Sequence, residues 1–474
     1  MTASAPPRTL FDKLWTSHLV RELGEGVALL AIDRIFLHER TGSVALKSLR
    51  DTGRPVRDPS RVFCTMDHIV DTTVGRGDET RMPGGTNFIV ETRQAAQAAG
   101  IHLFDVRDPL QGIVHVISPE LAIVLPGATV VCPDSHTCTQ GAMGAFAWGI
   151  GSTEAEHALA TGTLRVKRPK TMRVRFEGKL PAGVTAKDMT LALIAAHGSV
   201  GGNGYAVEYA GAAVEALEIE ARLTLCNMAT EFSAVTGCIA PDEKTFAYLQ
   251  GRAHAPAGAE WDEAVESWRA LRTDAAAVFD KEIVIDVSNL APMITWGTSP
   301  EHAVPIRASV PDQAGSGTTA EAYSRALQYM DLAPGVALES LKIDAAFIGS
   351  CTNSRLSDLR RAAAILRSRR VAAGVRAICV PGSMSVKRAA EAEGLDQVFR
   401  DAGFEWRESG CSMCFFAGGE SFGKQERVVS STNRNFESRQ GPETRTHLAS
   451  PETVAASAVA GHLIDFRRLT GEAN

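Results

Sequence analysis

The sequence contains no uninterrupted apolar stretch close to the roughly 18 residues that a membrane-spanning helix needs. Its first residues, Met1 to Arg8, lack the charged and apolar regions of a secretory signal peptide. We therefore expect a chain that stays in the cytoplasm and does not associate with a membrane.

An excess of one sign of charge is also missing. The net charge is −6, and 22% of the residues are charged. No broad electrostatic attraction to nucleic acid or to an anionic membrane follows from that balance, so neither is expected as a partner. At 474 residues, 45% of them hydrophobic, the chain is long enough for about two to four domains or subdomains.

A disulfide scaffold is absent as well. The nine cysteines are odd in number and are scattered through a long chain. Free thiols and a metal site are the better interpretation for such a pattern in a reducing compartment. Cys226, Cys238 and Cys379 have apolar neighbours in the sequence, so we expect them to pack in the core.

No internal repeat is visible, and the pattern is instead strand, loop and helix in alternation. Apolar runs predict strands at Ala128–Cys132, Thr171–Phe176, Ile343–Ile348 and Val375–Val380. Capping residues and periodicity predict helices from Thr185 to Ala196, from Ser357 to Arg369 and near Ser385–Glu393. This alternation is typical of an α/β fold with largely parallel sheets.

Two other segments have a distinct composition. Residues 253–280 are rich in Ala, Glu, Asp and Trp, which predicts a helical surface insertion. The segment Pro311–Thr319 has the composition of a linker, and it precedes the part of the chain that carries the most informative cysteines.

Those cysteines are Cys351, in Gly-Ser-Cys-Thr-Asn-Ser-Arg, and Cys411 with Cys414, which form a Cys-x-x-Cys motif. No fourth thiol stands at a matching local spacing. Three thiolates leave one position of a tetrahedral or cubane metal centre open, as a catalytic centre requires. A structural zinc site completed by a histidine, a redox pair and unligated thiols are alternatives. An iron–sulfur cubane with one iron position free of cysteine accounts for all three thiols.

Acidic residues and histidines recur in turn-like contexts, at Asp67-His68, His115, Asp134-Ser135-His136 and Glu208. A single histidine of this kind is more often structural than catalytic. The set as a whole is typical of proton transfer, because a carboxylate fixes the tautomer of an imidazole and raises its basicity. Near the end of the chain Arg434 and Arg439 stand five residues apart. They form either a solvated basic loop or a clamp for substrate carboxylates.

Together these motifs resemble the aconitase superfamily, and most closely its isopropylmalate isomerase large-subunit family. The resemblance runs from about Thr9 to His462. The motifs that carry it are Met66-Asp67-His68, Gly112-Ile113-Val114-His115, Pro133-Asp134-Ser135-His136-Thr137, Leu225-Cys226-Asn227-Met228-Ala229, Thr295-Trp296-Gly297-Thr298-Ser299-Pro300, Gly349-Ser350-Cys351-Thr352-Asn353-Ser354, the Cys411/Cys414 pair and Asn433-Arg434-Asn435-Phe436.

The resemblance implies a [4Fe–4S] cluster held by Cys351, Cys411 and Cys414, with an open iron acting as a Lewis acid. It implies that His68, oriented by Asp67, helps to protonate the departing hydroxyl. The other carboxylate–imidazole pairs that it implies are His115 with Asp134 and His136 with Glu208. It also implies that substrate carboxylates bind at Asn433, Arg434 and Arg439, and that His38 and Ser135 lie near the substrate.

The same resemblance implies three α/β subdomains packed around the cluster, over residues 1–168, 169–310 and 311–474, the last carrying the cluster cysteines. The family places its catalytic serine on a swivelling domain, which we do not expect in this chain. A small partner subunit is therefore expected to supply that domain and its serine. The chain alone is then nearly inactive.

The expected reaction is isomerisation of 2-isopropylmalate and 3-isopropylmalate by dehydration and rehydration, in leucine biosynthesis. Departures from the usual pattern leave the substrate open: Ser438 replaces a usual glycine, bulkier residues Phe415–Gly419 follow Cys414, and Thr41–Ala45 and Glu231–Val235 differ, the last lacking an expected positive charge. The alternatives are a hydratase of another small dicarboxylate, such as maleate or citraconate, and a non-catalytic iron or RNA sensor. The charge balance and the complete acid–base set weigh against the sensor.

Overall fold

The computed structural model describes residues 6–315 and 317–471. The strands are β1 Leu19–Gly24, β2 Val27–Ala31, β3 Arg34–His38, β4 Val62–Thr65, β5 His102–Phe104, β6 Thr129–Cys132, β7 Phe146–Gly149, β8 Thr163–Lys167, β9 Lys170–Glu177, β10 Tyr205–Ala210, β11 Thr236–Cys238, β12 Lys281–Asp286, β13 Met293–Thr295, β14 Ala303–Pro305, β15 Ala345–Ile348, β16 Arg376–Cys379, β17 Phe404–Trp406, β18 Arg427–Ser430 and β19 Arg445–Leu448.

The helices are α1 Leu10–His18, α2 Gly42–Asp51, α3 Gly85–Ala99, α4 Val114–Glu120, α5 Ser152–Thr161, α6 Ala186–His197, α7 Ala212–Ala216, α8 Ile219–Asn227, α9 Glu243–Leu249, α10 Ala259–Arg269, α11 Ala320–Met330, α12 Leu356–Leu366, α13 Met384–Ala392, α14 Leu395–Ala402, α15 Pro451–Ala460 and α16 Arg467–Thr470. Among the described residues, none of these helices is both long enough and apolar enough to cross a bilayer.

Three sheets are built from parallel neighbours. The first has the order β5-β4-β3-β6-β7, the second β11-β10-β9-β12 and the third β17-β16-β15-β18-β19. Smaller antiparallel sheets, β1-β2-β8 and β13-β14, lie beside them. The expected α/β fold with largely parallel sheets is confirmed.

The short central strands are buried on both faces, which explains why they appear in the sequence as apolar runs and not as alternating ones. Every residue of β6 and of β15 is buried. The helix α6 begins after Thr185, whose backbone N–H is bound by the Asp188 carboxylate at 2.7 Å, and ends before Gly198. The predicted strands and helices are thus confirmed to within a few residues.

Residues 253–280 contain a single helix, α10, so the predicted insertion is helical only in part. The Trp268 side chain on this helix is buried and packs near Phe246. Residues 311–315 and 317–319 of the predicted linker are irregular, whereas Ser316 lies outside the described residues, as do residues 1–5 of the first predicted subdomain and 472–474 of the last.

Buried side chains continue from the first sheet into the second. Phe36 and Val130 belong to the same hydrophobic cluster as Val174 and Val207. The third sheet has a separate cluster that includes Ile348. The first two sheets thus share one hydrophobic core, and the third sheet has its own.

Candidate active site

Loops at the carboxyl ends of parallel strands supply most of the predicted site residues. His38 ends β3, Asp67 and His68 follow β4, and Asp134 to His136 follow β6. In the third sheet, the loop after β15 carries Cys351, and Arg434 follows β18. Ligand sites of α/β proteins gather at such edges.

These loops enclose a cavity of about 330 Å³. Its lining residues are His38, Arg40, Thr41, His68, Ile113, His115, Pro133, Asp134, Ser135, His136, Cys351, Cys411, Cys414, Phe415, Arg434 and Arg439. Most of these side chains are polar or charged, as in a site for a small anionic ligand.

All three predicted metal ligands, Cys351, Cys411 and Cys414, line this one cavity and are buried. No disulfide joins any of the nine cysteines, each of which is a described residue. The Cys-x-x-Cys motif therefore does not form a disulfide in this structure.

The separation of the three sulfur atoms distinguishes between kinds of metal centre. Sulfurs bound to one tetrahedral zinc ion lie about 3.8 Å apart, because Zn–S bonds are about 2.3 Å long. Within the described part of the chain, no set of three ligand atoms lying within 4.8 Å of one another includes these sulfurs. The three thiols are thus not gathered around one zinc-sized point in the described part of the chain, which disfavours the alternative of a structural zinc site.

The surroundings of Cys351 also fit a bound cluster. Asn227 Nδ2 lies 3.1 Å from its Sγ atom, and Asn433 Nδ2 lies 3.5 Å away. Burial, together with the neighbouring Cys414, raises the pKa of the Cys351 thiol to about 12. Such a thiol needs a cationic centre to become a thiolate, and amide N–H donors then stabilise the sulfur.

The predicted pair of Asp67 and His68 is present. His68 Nδ1 lies 2.6 Å from Asp67 Oδ1, and its Nε2 lies 3.1 Å from Asp134 Oδ2. Burial alone would lower the pKa of His68, but Asp67, Cys411 and Asp134 outweigh burial and raise that pKa well above its usual value. The raised pKa favours the protonated imidazole, which can donate a proton.

Asp134 contacts two further imidazoles. His115 Nε2 lies 3.1 Å and His136 Nδ1 lies 3.5 Å from Asp134 Oδ1. Burial would raise the pKa of this carboxyl group, but the three histidines outweigh burial and hold its pKa well below the usual value. Asp134 is therefore an ionised carboxylate that orients three rings at once.

The carboxylate beside His136 is Glu231, and the structure does not bring Glu208 to this ring. His136 Nε2 lies 2.9 Å from Glu231 Oε1, and Arg434 Nε lies 2.7 Å from the same oxygen. Burial would raise the pKa of Glu231, but His136 and Arg434 outweigh burial and lower it. The predicted pairing of His136 with Glu208 is corrected accordingly.

Glu208 lies on β10, where its Oε2 accepts a hydrogen bond of 2.7 Å from Thr273 Oγ1. It lines a second cavity, of about 690 Å³, together with Arg173 and Asp242. None of the three cysteines lines that cavity. Sequence reasoning chose the wrong acid because nothing local indicates which carboxylate reaches a histidine on another sheet.

Of the predicted substrate-binding residues, all but Asn433 line the cavity. Ser135, Arg434 and Arg439 line the cavity, whereas the fully buried Asn433 directs its amide to the sulfur of Cys351. His38 also lines the cavity, and its ring stacks on His68 with a centroid distance of 4.0 Å. Burial, reinforced by His68, lowers the pKa of His38 to about 4, so this imidazole is neutral.

Two neighbouring charged residues, Glu39 and Arg40, were missed from the sequence. The buried Glu39 carboxylate accepts backbone N–H groups of Asp67 at 3.0 Å and of His68 at 2.7 Å, which fixes the turn that carries this pair. Arg40 lines the cavity. Both residues stand directly after a buried strand, and this position could have indicated a functional role. Charged groups in such a place cost free energy unless they are paired or used.

The chain as a whole matches known proteins. Residues 12–461 match the aconitase family (aconitate hydratase) model, and the chain belongs to the aconitase family. The 3-isopropylmalate dehydratase large subunit 1 of Bradyrhizobium diazoefficiens is 52% identical over 464 residues, which cover 98% of this chain and 97% of that protein. The crystal structure of Thermococcus kodakaraensis aconitase X in its holo-form matches with a TM-score of 0.45 and 14% identity, over 86% of this chain and 84% of that one.

Proposed function

We propose that this chain is the large subunit of an isopropylmalate isomerase, a hydro-lyase that interconverts 2-isopropylmalate and 3-isopropylmalate in leucine biosynthesis. The reaction class rests on one observation: three buried thiols, a carboxylate-linked set of imidazoles and two arginines line the same cavity. The substrate rests on the 52% identity to a relative named 3-isopropylmalate dehydratase large subunit 1.

We infer that Cys351, Cys411 and Cys414 hold a [4Fe–4S] cluster. When bound, such a cluster supplies a Lewis acid at the iron that no cysteine ligates. The burial of all three cysteines on the wall of one cavity supports this choice, as does the amide of Asn227, 3.1 Å from Cys351 Sγ.

In this proposal the side chains that line the cavity have separate roles. His68, between the carboxylates of Asp67 and Asp134, is the proton donor to the departing hydroxyl. Arg434 and Arg439 bind substrate carboxylates, and Glu231 fixes the Arg434 guanidinium through Nε. Asp134 keeps the imidazoles of His115 and His136 in place.

A second subunit completes the site in this proposal. The relative carries the name of a large subunit, which supports a small partner that supplies the swivelling domain and its serine base. The assembled enzyme acts in the cytoplasm on a small dicarboxylate.

Co-expression of the chain with a small subunit, followed by anaerobic loading with iron and sulfide, tests the proposal. The complex is expected to interconvert the two isopropylmalates, and the chain alone is expected to be nearly inactive. Cys351→Ala should abolish both iron retention and turnover. Cys379→Ala, which alters a buried cysteine on β16, provides the matched control and should retain both. A fully loaded complex that converts neither isopropylmalate would refute the assignment.

A further inference from the structure

Two arginines on the cavity wall are not paired with any carboxylate in the part of the chain that the structure describes. Arg40 and Arg439 both line the cavity, and within residues 6–315 and 317–471 neither forms an ion pair. Arg434, by contrast, is already paired with Glu231 at 2.7 Å. Arg439 is only 9% exposed, and its Nη2 donates to Cys414 Sγ at 3.9 Å, but its buried Nε has no hydrogen-bond partner among the described residues.

The aromatic ring of Phe415 links the two cations. The guanidinium carbon of Arg40 lies 4.5 Å from the centroid of this ring, and that of Arg439 lies at the same distance. Arg439 also lies 5.1 Å from the ring centroid of Phe436. A ring face attracts a guanidinium electrostatically, so Phe415 holds both side chains against the wall.

This arrangement is electrostatically incomplete. Burial lowers the pKa of Arg40, and the charge of Arg439 lowers it further, whereas Asp134 and Glu39 offset these effects only in part. Two cations on the wall of one cavity are stabilised by an anion that both can reach. Carboxylates suit guanidinium groups, because the planar fork of N–H donors matches the two oxygens.

We propose that Arg40 is a substrate-binding residue that shares the substrate carboxylates with Arg439, and that Phe415 is the positioning residue that holds both guanidiniums. This inference rests on the proposed function, since it names how the same cavity selects its dicarboxylate. Arg40 adds a cation to the two arginines expected from the sequence. The bulk of Phe415, unusual after the third cysteine, then has a role in binding.

The test uses the cluster-loaded complex with its small subunit and compares Arg40→Gln, Phe415→Leu and Phe415→Tyr with the unaltered enzyme. Arg40→Gln is expected to raise KM roughly tenfold or more with a smaller change in kcat, because a charge-assisted hydrogen bond is lost. The inhibition constant of malonate, an unreactive dicarboxylate, should rise in parallel. Phe415→Leu should raise both constants, and Phe415→Tyr, which keeps the ring face, should restore them.

Arg367→Gln is the matched control, because Arg367 is exposed and follows α12, at the opposite end of that helix from the Cys351 loop. KM and malonate inhibition within twofold of the unaltered enzyme in Arg40→Gln would overturn the proposal. If Arg40→Gln does not assemble, equal KM values for Phe415→Leu and Phe415→Tyr would overturn it instead.

Failure of the proposed function has a different signature. An unaltered complex that hydrates maleate or citraconate but ignores the isopropylmalates contradicts the assigned substrate, and the same KM comparison then proceeds with the accepted dicarboxylate. If no substrate is turned over, protection of the complex by malonate against thermal unfolding replaces KM. Equal protection of the unaltered and Arg40→Gln complexes counts against the inference.

Discussion

The Nζ atom of Lys187 donates a hydrogen bond of 2.8 Å to the backbone carbonyl of Ser431. Lys187 lies on α6 and is fully buried, and it also binds the carbonyl of Thr432, directly before Asn433. A helix beside the second sheet thereby fixes the loop whose asparagine contacts Cys351. This contact predicts that stability and cluster retention are linked.

Replacing Lys187 by methionine is expected to lower the free energy of unfolding by about 3 kcal/mol or more, because two buried carbonyls lose their donor. Iron content per chain should fall at the same time. Urea denaturation and iron analysis measure the two effects. Lys47→Met, at an exposed position on α2, is the control and should change neither. A Lys187→Met protein as stable as the unaltered one would contradict this account.

Glu231 and Glu208 form a natural pair for a second test. Glu231→Gln is expected to lower kcat about 100-fold, since it removes the charge that orients His136 and Arg434. Glu208→Gln should leave kcat within about twofold, because Glu208 binds Thr273 outside the cavity. Steady-state kinetics of the loaded complex measures both. A larger loss of kcat in Glu208→Gln than in Glu231→Gln would instead support the predicted pairing of His136 with Glu208.

The pH dependence of stability should reflect His447. Its Nδ1 lies 2.7 Å from the Thr295 carbonyl and its Nε2 lies 2.9 Å from Arg427 Nη1, so Nε2 must accept and cannot carry a proton. Burial, reinforced by Arg427, lowers the pKa of His447 to about 3. The folded-state pKa lies below the unfolded value of about 6.5. The stabilisation is therefore complete above about pH 6.5 and is lost as the pH falls toward 3.

The expected slope is up to about 1.4 kcal/mol per pH unit between those values. In His447→Gln the fall in the free energy of unfolding between pH 7 and pH 5 should be smaller by about 2 kcal/mol. Urea titrations at both pH values test this. His157→Gln, at an exposed position, should retain the slope of the unaltered protein.

Ser438 has a positive φ of 62°, which explains why glycine is usual at this position of the motif. Its Oγ atom accepts a hydrogen bond of 3.0 Å from the backbone N–H of Glu443. Ser438→Gly relieves the backbone strain but loses that bond, so its free energy of unfolding should stay within about 1 kcal/mol of the original. Ser438→Val loses the bond and adds a β-branched side chain at positive φ, so it should be clearly less stable. Thermal unfolding ranks the three proteins, and equal stability of the valine variant would contradict the strain argument.

Local signals in the sequence were sufficient for the elements and for much of the site. Thr185, Asp188 and Gly198 define the ends of α6 by themselves, because a cap is formed by residues a few positions apart. The short apolar runs gave β6 and β15. The cysteines and the Asp67–His68 pair were found because they stand in short, recognisable sequence motifs.

Contacts between distant segments were not predictable in this way. Glu231 is separated from His136 by 95 positions in the sequence, and neither periodicity nor spacing relates the two. The contact of Arg40 with the ring of Phe415 was not predictable for the same reason, because the two residues are far apart in the sequence. The predicted subdomain boundaries and the chemical roles of the site residues stay predictions.

The cavity wall draws on residues from His38 to Arg439. On the ribosome, therefore, the early imidazoles emerge long before the late sulfurs and guanidiniums that they face. The cluster that we propose for Cys351, Cys411 and Cys414 can therefore be enclosed only after nearly the whole chain has been synthesised.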